Sequence, residues 1–203
     1  MALNDNAMTT LATAKAYLKI PTLEVGQDAM LELFINAASD DIERYCQREF
    51  KSKSYTDYHH GRNQNILLPV QYPITAISEL RVDNESDFTS ADSLIPVDDY
   101  RIGDQNNTVV MVNGRVFPKG FHNIRLIYTA GFASIPSSLE NACLWIVNYY
   151  NRMREGQNIG RANKAKEGES ATYLQQWPPH VTAVLDQFRR TEFPGAEVGI
   201  WNI

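Results

Sequence analysis

The chain is 203 residues long, 43% hydrophobic, 21% charged and 10% aromatic, with a formal net charge of -5 and a pI near 5.4. This is an ordinary globular composition, large enough for one domain or one domain with an elaborated insert, and it lacks the basic footprint of a dedicated nucleic-acid binder. Two cysteines, Cys46 and Cys143, each in a predicted apolar helix face, exclude a disulfide framework or zinc site, and with no signal-like N-terminus or membrane-length apolar run the chain reads as cytosolic, reduced and soluble.

In chain order, Thr9–Leu18 predicts a short helix capped by a threonine and stopped by Pro21. A second helix runs from about Asp28 to Glu49, with Leu31, Phe34, Ala38, Ile42 and Tyr45 forming one stripe at three- and four-residue steps. Asp40, Asp41, Glu43 and Arg44 take the other side, so the two helices make a hairpin. Short β-prone runs follow at Ser54–His59, Ile66–Leu68, Ile77–Val82, Tyr100–Ile102, Val109–Val112 and Ile124–Tyr128. Asn113-Gly114 predicts a two-residue hairpin between Val109–Val112 and Arg115–Phe117, since both positions tolerate positive φ. The acidic, turn-rich Asp83–Asp99 is expected to be a surface loop.

Ser137-Ser138-Leu139-Glu140 fits a capping box, opening a helix with Leu139, Ala142, Cys143, Ile146, Tyr149, Tyr150 and Met153 on one stripe. Leu144, Trp145 and Val147 fall outside that stripe, so the helix is expected to be central and packed on more than one side. Gly156–Ser170 reads as a polar glycine-rich loop, Trp177-Pro178-Pro179 opens a last short helix over Val181–Arg190, and Thr191–Ile203 is a Pro/Gly-hinged tail. The expected fold is α+β and mainly helical: an N-terminal helical hairpin, a central antiparallel β-region, a long central helix, and a short C-terminal helix with an extended tail. One domain spans 1–190 with a β-rich insert at about 53–130, and 191–203 forms a C-terminal arm.

Enzymatic chemistry is not visible. His59-His60, with Asp57 nearby, is the best metal-like cluster and could serve a small metal-dependent hydrolase, but adjacent strand residues point to opposite faces and no third ligand is spaced for an ion. The Asp40-Asp41 and Asp98-Asp99 pairs read as solvated charges, and the serines around Pro136 read as caps without a nucleophile elbow. No phosphate-cradling glycine motif occurs, so no cofactor is expected. Arg152, Arg154, Arg161, Lys164 and Lys166 fit a cation-favouring helix end and solvated loop, an acidic partner surface, or phosphate contact, the last weakened by Glu155, Glu167 and Glu169. The apolar Ile200-Trp201-Asn202-Ile203 either folds back on the core or anchors a partner. The candidate partner or subunit-interface residues are therefore Arg154, Arg161, Lys164, Lys166, Trp177, Ile200, Trp201 and Ile203.

The stretch Tyr128-Thr129-Ala130-Gly131-Phe132, then Ile135-Pro136, then a helix ending Tyr150-Asn151-Arg152, resembles the signature of phage head–tail connector (adaptor, head-completion) proteins. The likeness continues in Thr10–Ile20, in Asp28–Ala38 with Ile42–Cys46, in Leu67-Leu68-Pro69 with Pro73–Ile77 and Val82-Asp83, and in Pro179–Arg190. Singly these are weak apolar patterns, but their order and spacing are specific. Ala12-Thr13 in place of an acidic helix start, the long Asp83–Asp99 loop and the tail past Arg190 depart from the pattern. The resemblance implies a non-enzymatic virion assembly role: a homo-oligomeric ring matching a twelve-fold portal, bound to portal and to stopper or tail, with DNA passing through without specific binding. The alternative is a DNA-packaging accessory that binds nucleic acid through loop 156–170.

Overall fold

The computed structural model describes residues 2–155, 163–166, 169–172 and 177–190, with the backbone alone for 155, 163–166 and 169–172. The chain is α+β and divides into two compact units, Met1–Arg48 with Pro136–Ile203, and Glu49–Ile135.

Among the described residues the first unit carries four helices, α1 (Leu11–Leu18), α2 (Asp28–Cys46), α3 (Ser137–Glu155) and α4 (Pro179–Asp186). Thr10 caps α1 by accepting from the Thr13 amide at 3.1 Å. At its other end Lys19 turns left-handed, and Ile20 N–H returns to the Lys15 carbonyl at 2.9 Å, the bonding that closes a Schellman end. α2 ends the same way, its last helical residue Cys46 three short of the expected stop at Glu49 and Gln47 turning left-handed (φ 55°). Its fully buried stripe is Leu31, Ile35, Ala38, Ile42 and Cys46. Phe34 and Tyr45, expected in that stripe, sit at its edges, where Phe34 meets the Tyr150 ring of α3 and Tyr45 the Trp177 ring before α4.

α3 buries Leu139, Ala142, Cys143, Leu144, Ile146 and Val147, a wide arc that takes in Leu144 and Val147 from outside the expected stripe, whereas Trp145, also outside it, is exposed with Asn141 and Arg152 on the remaining face. Its start differs from the capping box. Ser137 is already helical, the Pro136 carbonyl accepts the first helical bond from Glu140 N–H, and the Glu140 carboxylate instead accepts from the Thr9 hydroxyl at 3.0 Å. The acidic residue ties the N-terminal segment to α3 rather than closing on its own helix. α4 stops at Asp186, short of Arg190, and Arg190 N–H donates to the Cys46 carbonyl at 2.9 Å. Cys46 and Cys143 are free and buried, and burial raises their thiol pKa values to about 11 and about 12, so both are inert packing groups.

The connection between α1 and α2 is braced from inside. Lys15 is only 4% exposed, and its ammonium lies 2.5 Å from Asp28 Oδ1 while donating to the Glu24 and Thr22 carbonyls at 2.6 and 3.3 Å. Lys15→Met leaves that carboxylate and both carbonyls without the ammonium. It is expected to cost about 2 kcal/mol in chemical denaturation and to speed amide exchange in 21–27. Unchanged exchange there would show that the loop holds itself.

The second unit holds six strands: β1 (Lys53–Gly61), β2 (Ile66–Leu67), β3 (Ile74–Val82), β4 (Tyr100–Ile102), β5 (Val109–Met111) and β6 (Gly120–Ala130). They form two antiparallel three-stranded sheets, ordered β1-β6-β3 and β2-β5-β4. Leu80, Leu126, Tyr128 and Ile124 of the larger sheet share one core with Leu67, Val109, Met111 and Phe117 from the smaller sheet and its flank. Asn113 and Gly114 do adopt positive φ, 56° and 73°, but the turn closes no hairpin. Phe117 bridges Gln64 instead, and β5 is already flanked by β2 and β4, so both its edges are taken. The Asp83–Asp99 segment is not wholly superficial: it contains two 3-10 turns, its Leu94 bridges Arg81 of β3, and its Phe88 is buried. In the first unit, the expected loop 156–170 contains one strand and part of another, β7 (Asn163–Lys166) and β8 (Glu169–Thr172), paired antiparallel.

Candidate functional site

The signature stretch is an internal lock. β6 alternates so that Ile124, Leu126, Tyr128 and Ala130 face the core, which buries Tyr128 completely. Its hydroxyl donates to Asp57 Oδ2 at 2.7 Å and accepts from Gln71 N–H at 2.9 Å. Asp57 Oδ2 also accepts from Val70 N–H at 2.8 Å, with His59 Nε2 3.6 Å away. Burial pushes the Asp57 carboxyl up, but His59, the Tyr128 hydroxyl and the Val70 amide together hold it below its ordinary range. Burial first, and then the bond to Asp57, raise the Tyr128 phenol, which stays protonated. One carboxylate and one phenol thus staple the 70–71 backbone to β1 and β6. Gly131 follows at φ 107°, where a Cβ would stand 2.6 Å from the Lys51 carbonyl oxygen. Tyr128 and Gly131 therefore set the local geometry of the β unit.

The outer face of the larger sheet is also committed to structure. Glu79 Oε1 lies 2.6 Å from Arg125 Nη2 and 3.0 Å from Arg81 Nε, and those arginines hold its carboxyl below the usual range. The Arg125 guanidinium stacks 5.2 Å from the Phe88 ring centroid, anchoring the long loop.

His59 and His60 point to opposite sides of β1, the first half-buried and the second exposed. His60 Nδ1 accepts from the His122 amide at 2.9 Å, which uses the lone pair on that nitrogen and leaves the ring proton on Nε2. The His60 ring packs against Phe121 and His122, with centroids 4.6 and 4.5 Å away. Among the described residues no group of three or more His, Cys, Asp or Glu could hold a metal ion, and no helix is long and apolar enough to cross a membrane.

Of the sequence-predicted partner residues, Arg154 donates to Gln27 Oε1 at 3.2 Å, bracing the start of α2. Trp177 is half-buried, 5.7 Å from the Tyr45 ring, whose hydroxyl donates to Asp186 at 2.7 Å. Both make contacts within their own unit. Lys164 and Lys166 lie on β7, where the backbone alone is described, and Arg161, Ile200, Trp201 and Ile203 lie outside the described residues.

Two apolar surfaces escaped the sequence reading. Leu23 and Val25, between α1 and α2, are 94% and 72% exposed. On the small sheet, Ile66 and Leu68 are exposed on either side of buried Leu67. The signal for the second was present: three consecutive aliphatics in a short strand cannot all face one core.

The profile of the head completion protein family matches residues 7–191. No curated protein matches the chain. Solved structures do: a chain in the neck of an empty GTA particle computed with C6 symmetry (19% identity, 96% of each chain, TM-score 0.59) and one in the neck of a native GTA particle computed with C12 symmetry (18% identity, 96% of this chain and 98% of that one, TM-score 0.60). A chain in the virion of a native gene transfer agent is similar at 19% identity over 96% and 95%, TM-score 0.59. At these identities the likeness is one of fold, and it runs nearly end to end. With the family profile spanning both units of the structure, the chain belongs to the head completion protein family.

Proposed function

We propose that this chain is a structural head–tail connector, an assembly protein to which no catalytic step is assigned. It forms a ring under the portal of the DNA-filled capsid and offers the docking surface for the stopper or tail. Family membership over residues 7–191 carries this reading, and a fold shared over 96% of the chain with proteins in particle necks supports it. The protein works at the head–tail junction of the virion after synthesis in the host cytoplasm. We read 1–190 as one connector domain, with the β unit as its insert and 191–203 as a separate arm.

The ring is taken to follow a twelve-fold portal, which is consistent with the C12 symmetry computed for one similar neck. The net charge of -5 on each chain suits a conduit, because net repulsion lets a duplex slide where a basic lumen would hold it. Portal contact is assigned to the C-terminal arm with Trp201 as its anchor, a tryptophan among aliphatics being a frequent energetic centre of interfaces.

In a producing strain lacking the chain, free heads unable to take a tail are expected to accumulate, and purified protein should restore whole particles. A chain cut after Arg190 should keep its fold and restore at least about tenfold fewer. Full restoration by the shortened chain would move portal contact elsewhere, and tailed particles made without the protein would end the connector reading.

A further inference from the structure

The small sheet of the β unit carries aliphatic side chains on both faces. Its inner residues Leu67, Val109 and Met111 belong to the core. Across its outer face the register lines up Ile66, Val110 and Arg101 in one row, with Ile66 49% exposed, Val110 half-buried and Arg101 exposed. Leu68, just past the end of β2, is 39% exposed and adds to the exposed aliphatics of this segment. An antiparallel sheet with one face on the core normally turns polar residues outward, so aliphatics clustered on the outer face mark an interaction site.

The helical unit carries a surface of matching character. Leu23 and Val25 project from the connection between α1 and α2 at 94% and 72% exposure, with exposed Glu24 between them. The buried Lys15 ammonium fixes this segment from beneath through Thr22, Glu24 and Asp28. A projection already ordered in the free protein loses little conformational freedom on docking. The acidic residue of the projection complements the arginine of the row.

We infer that the Leu23-Glu24-Val25 knob of one copy seats on the outer face of the small sheet of a second copy, with Glu24 facing Arg101. Knob and socket are different surfaces, so the contact is heterologous. Each copy keeps one of each free for the next, which is the arrangement that closes rings. The inference rests on the ring reading above and names the contact that builds it.

Assembly is measured by mass photometry across a dilution series, alone and on purified portal. Leu23→Asp and Ile66→Asp change exposed side chains, and circular dichroism should show both variants folded. Each should raise the concentration needed for rings by at least about tenfold. Glu24→Arg and Arg101→Glu should each weaken assembly, and the two combined should restore it. Oxidising a Leu23→Cys, Ile66→Cys double variant should give a ladder of chains on a denaturing gel. Rings that survive Leu23→Asp and Ile66→Asp unchanged, or a crosslink confined to single chains, would overturn this contact while leaving the ring reading intact. A wild type that stays monomeric with and without portal would overturn both.

Discussion

Gly131→Ala is expected to destabilise the protein by about 4 kcal/mol and to leave little folded β unit at 37 °C. Two costs add. The φ of 107° lies where L side chains rarely settle, which costs about 1–3 kcal/mol even in open space. Space is also lacking, since the new methyl would stand 2.6 Å from the Lys51 carbonyl oxygen and 2.8 Å from the Ser52 nitrogen. The relief available is a shift of the 50–52 backbone, which would strain the bonds from Phe132 N–H to Phe50 O (2.7 Å) and from Ser52 N–H to Phe132 O (3.2 Å). Urea unfolding followed by tryptophan and tyrosine fluorescence reads the loss. A cost under about 1 kcal/mol would show that this junction is not under the constraint described.

The second large effect concerns the lock. Tyr128→Phe removes the hydroxyl that satisfies Asp57 and accepts from Gln71 N–H, so one change leaves a part-buried carboxylate and a backbone donor each short of a partner. A loss of about 3 kcal/mol is expected, more than the removed atom's own burial would give. The lock also sets a pH dependence. The Asp57 carboxyl lies below its ordinary value in the folded protein, whereas in the unfolded chain it titrates near the usual ~3.9. Its stabilisation is therefore fully present above about pH 5 and is lost as pH falls through the lower folded value. Asp57→Asn should be less stable than the wild type at pH 7, and the gap should narrow below about pH 4. A gap that stays constant down to pH 2 would contradict the assignment.

What the sequence disclosed follows from the range of the interactions involved. Thr10 capping and the αL-tolerant Asn113-Gly114 turn depend on neighbours within a turn or two, and each is present. The errors came where a distant partner outcompeted a local one. Glu140 binds Thr9 rather than its own helix start, and the strand expected after Asn113-Gly114 met a β5 already paired on both sides. The Asp57–Tyr128 and Tyr45–Asp186 bonds join residues 71 and 141 positions apart, which no spacing rule reaches. Tyr128 and Gly131 were legible as a family mark, and the structure explains the mark as a packing constraint. Arg154 and Trp177 serve their own unit, while Leu23, Val25, Ile66 and Leu68 lie exposed in segments that composition does not single out.

Imaging the purified protein mixed with purified portal by cryo-electron microscopy tests the central claim most directly. The connector account predicts a closed ring of this chain stacked coaxially on the portal, with the symmetry of the portal and an open channel. Portal particles that remain bare at saturating protein, beside a protein that stays monomeric, would contradict it.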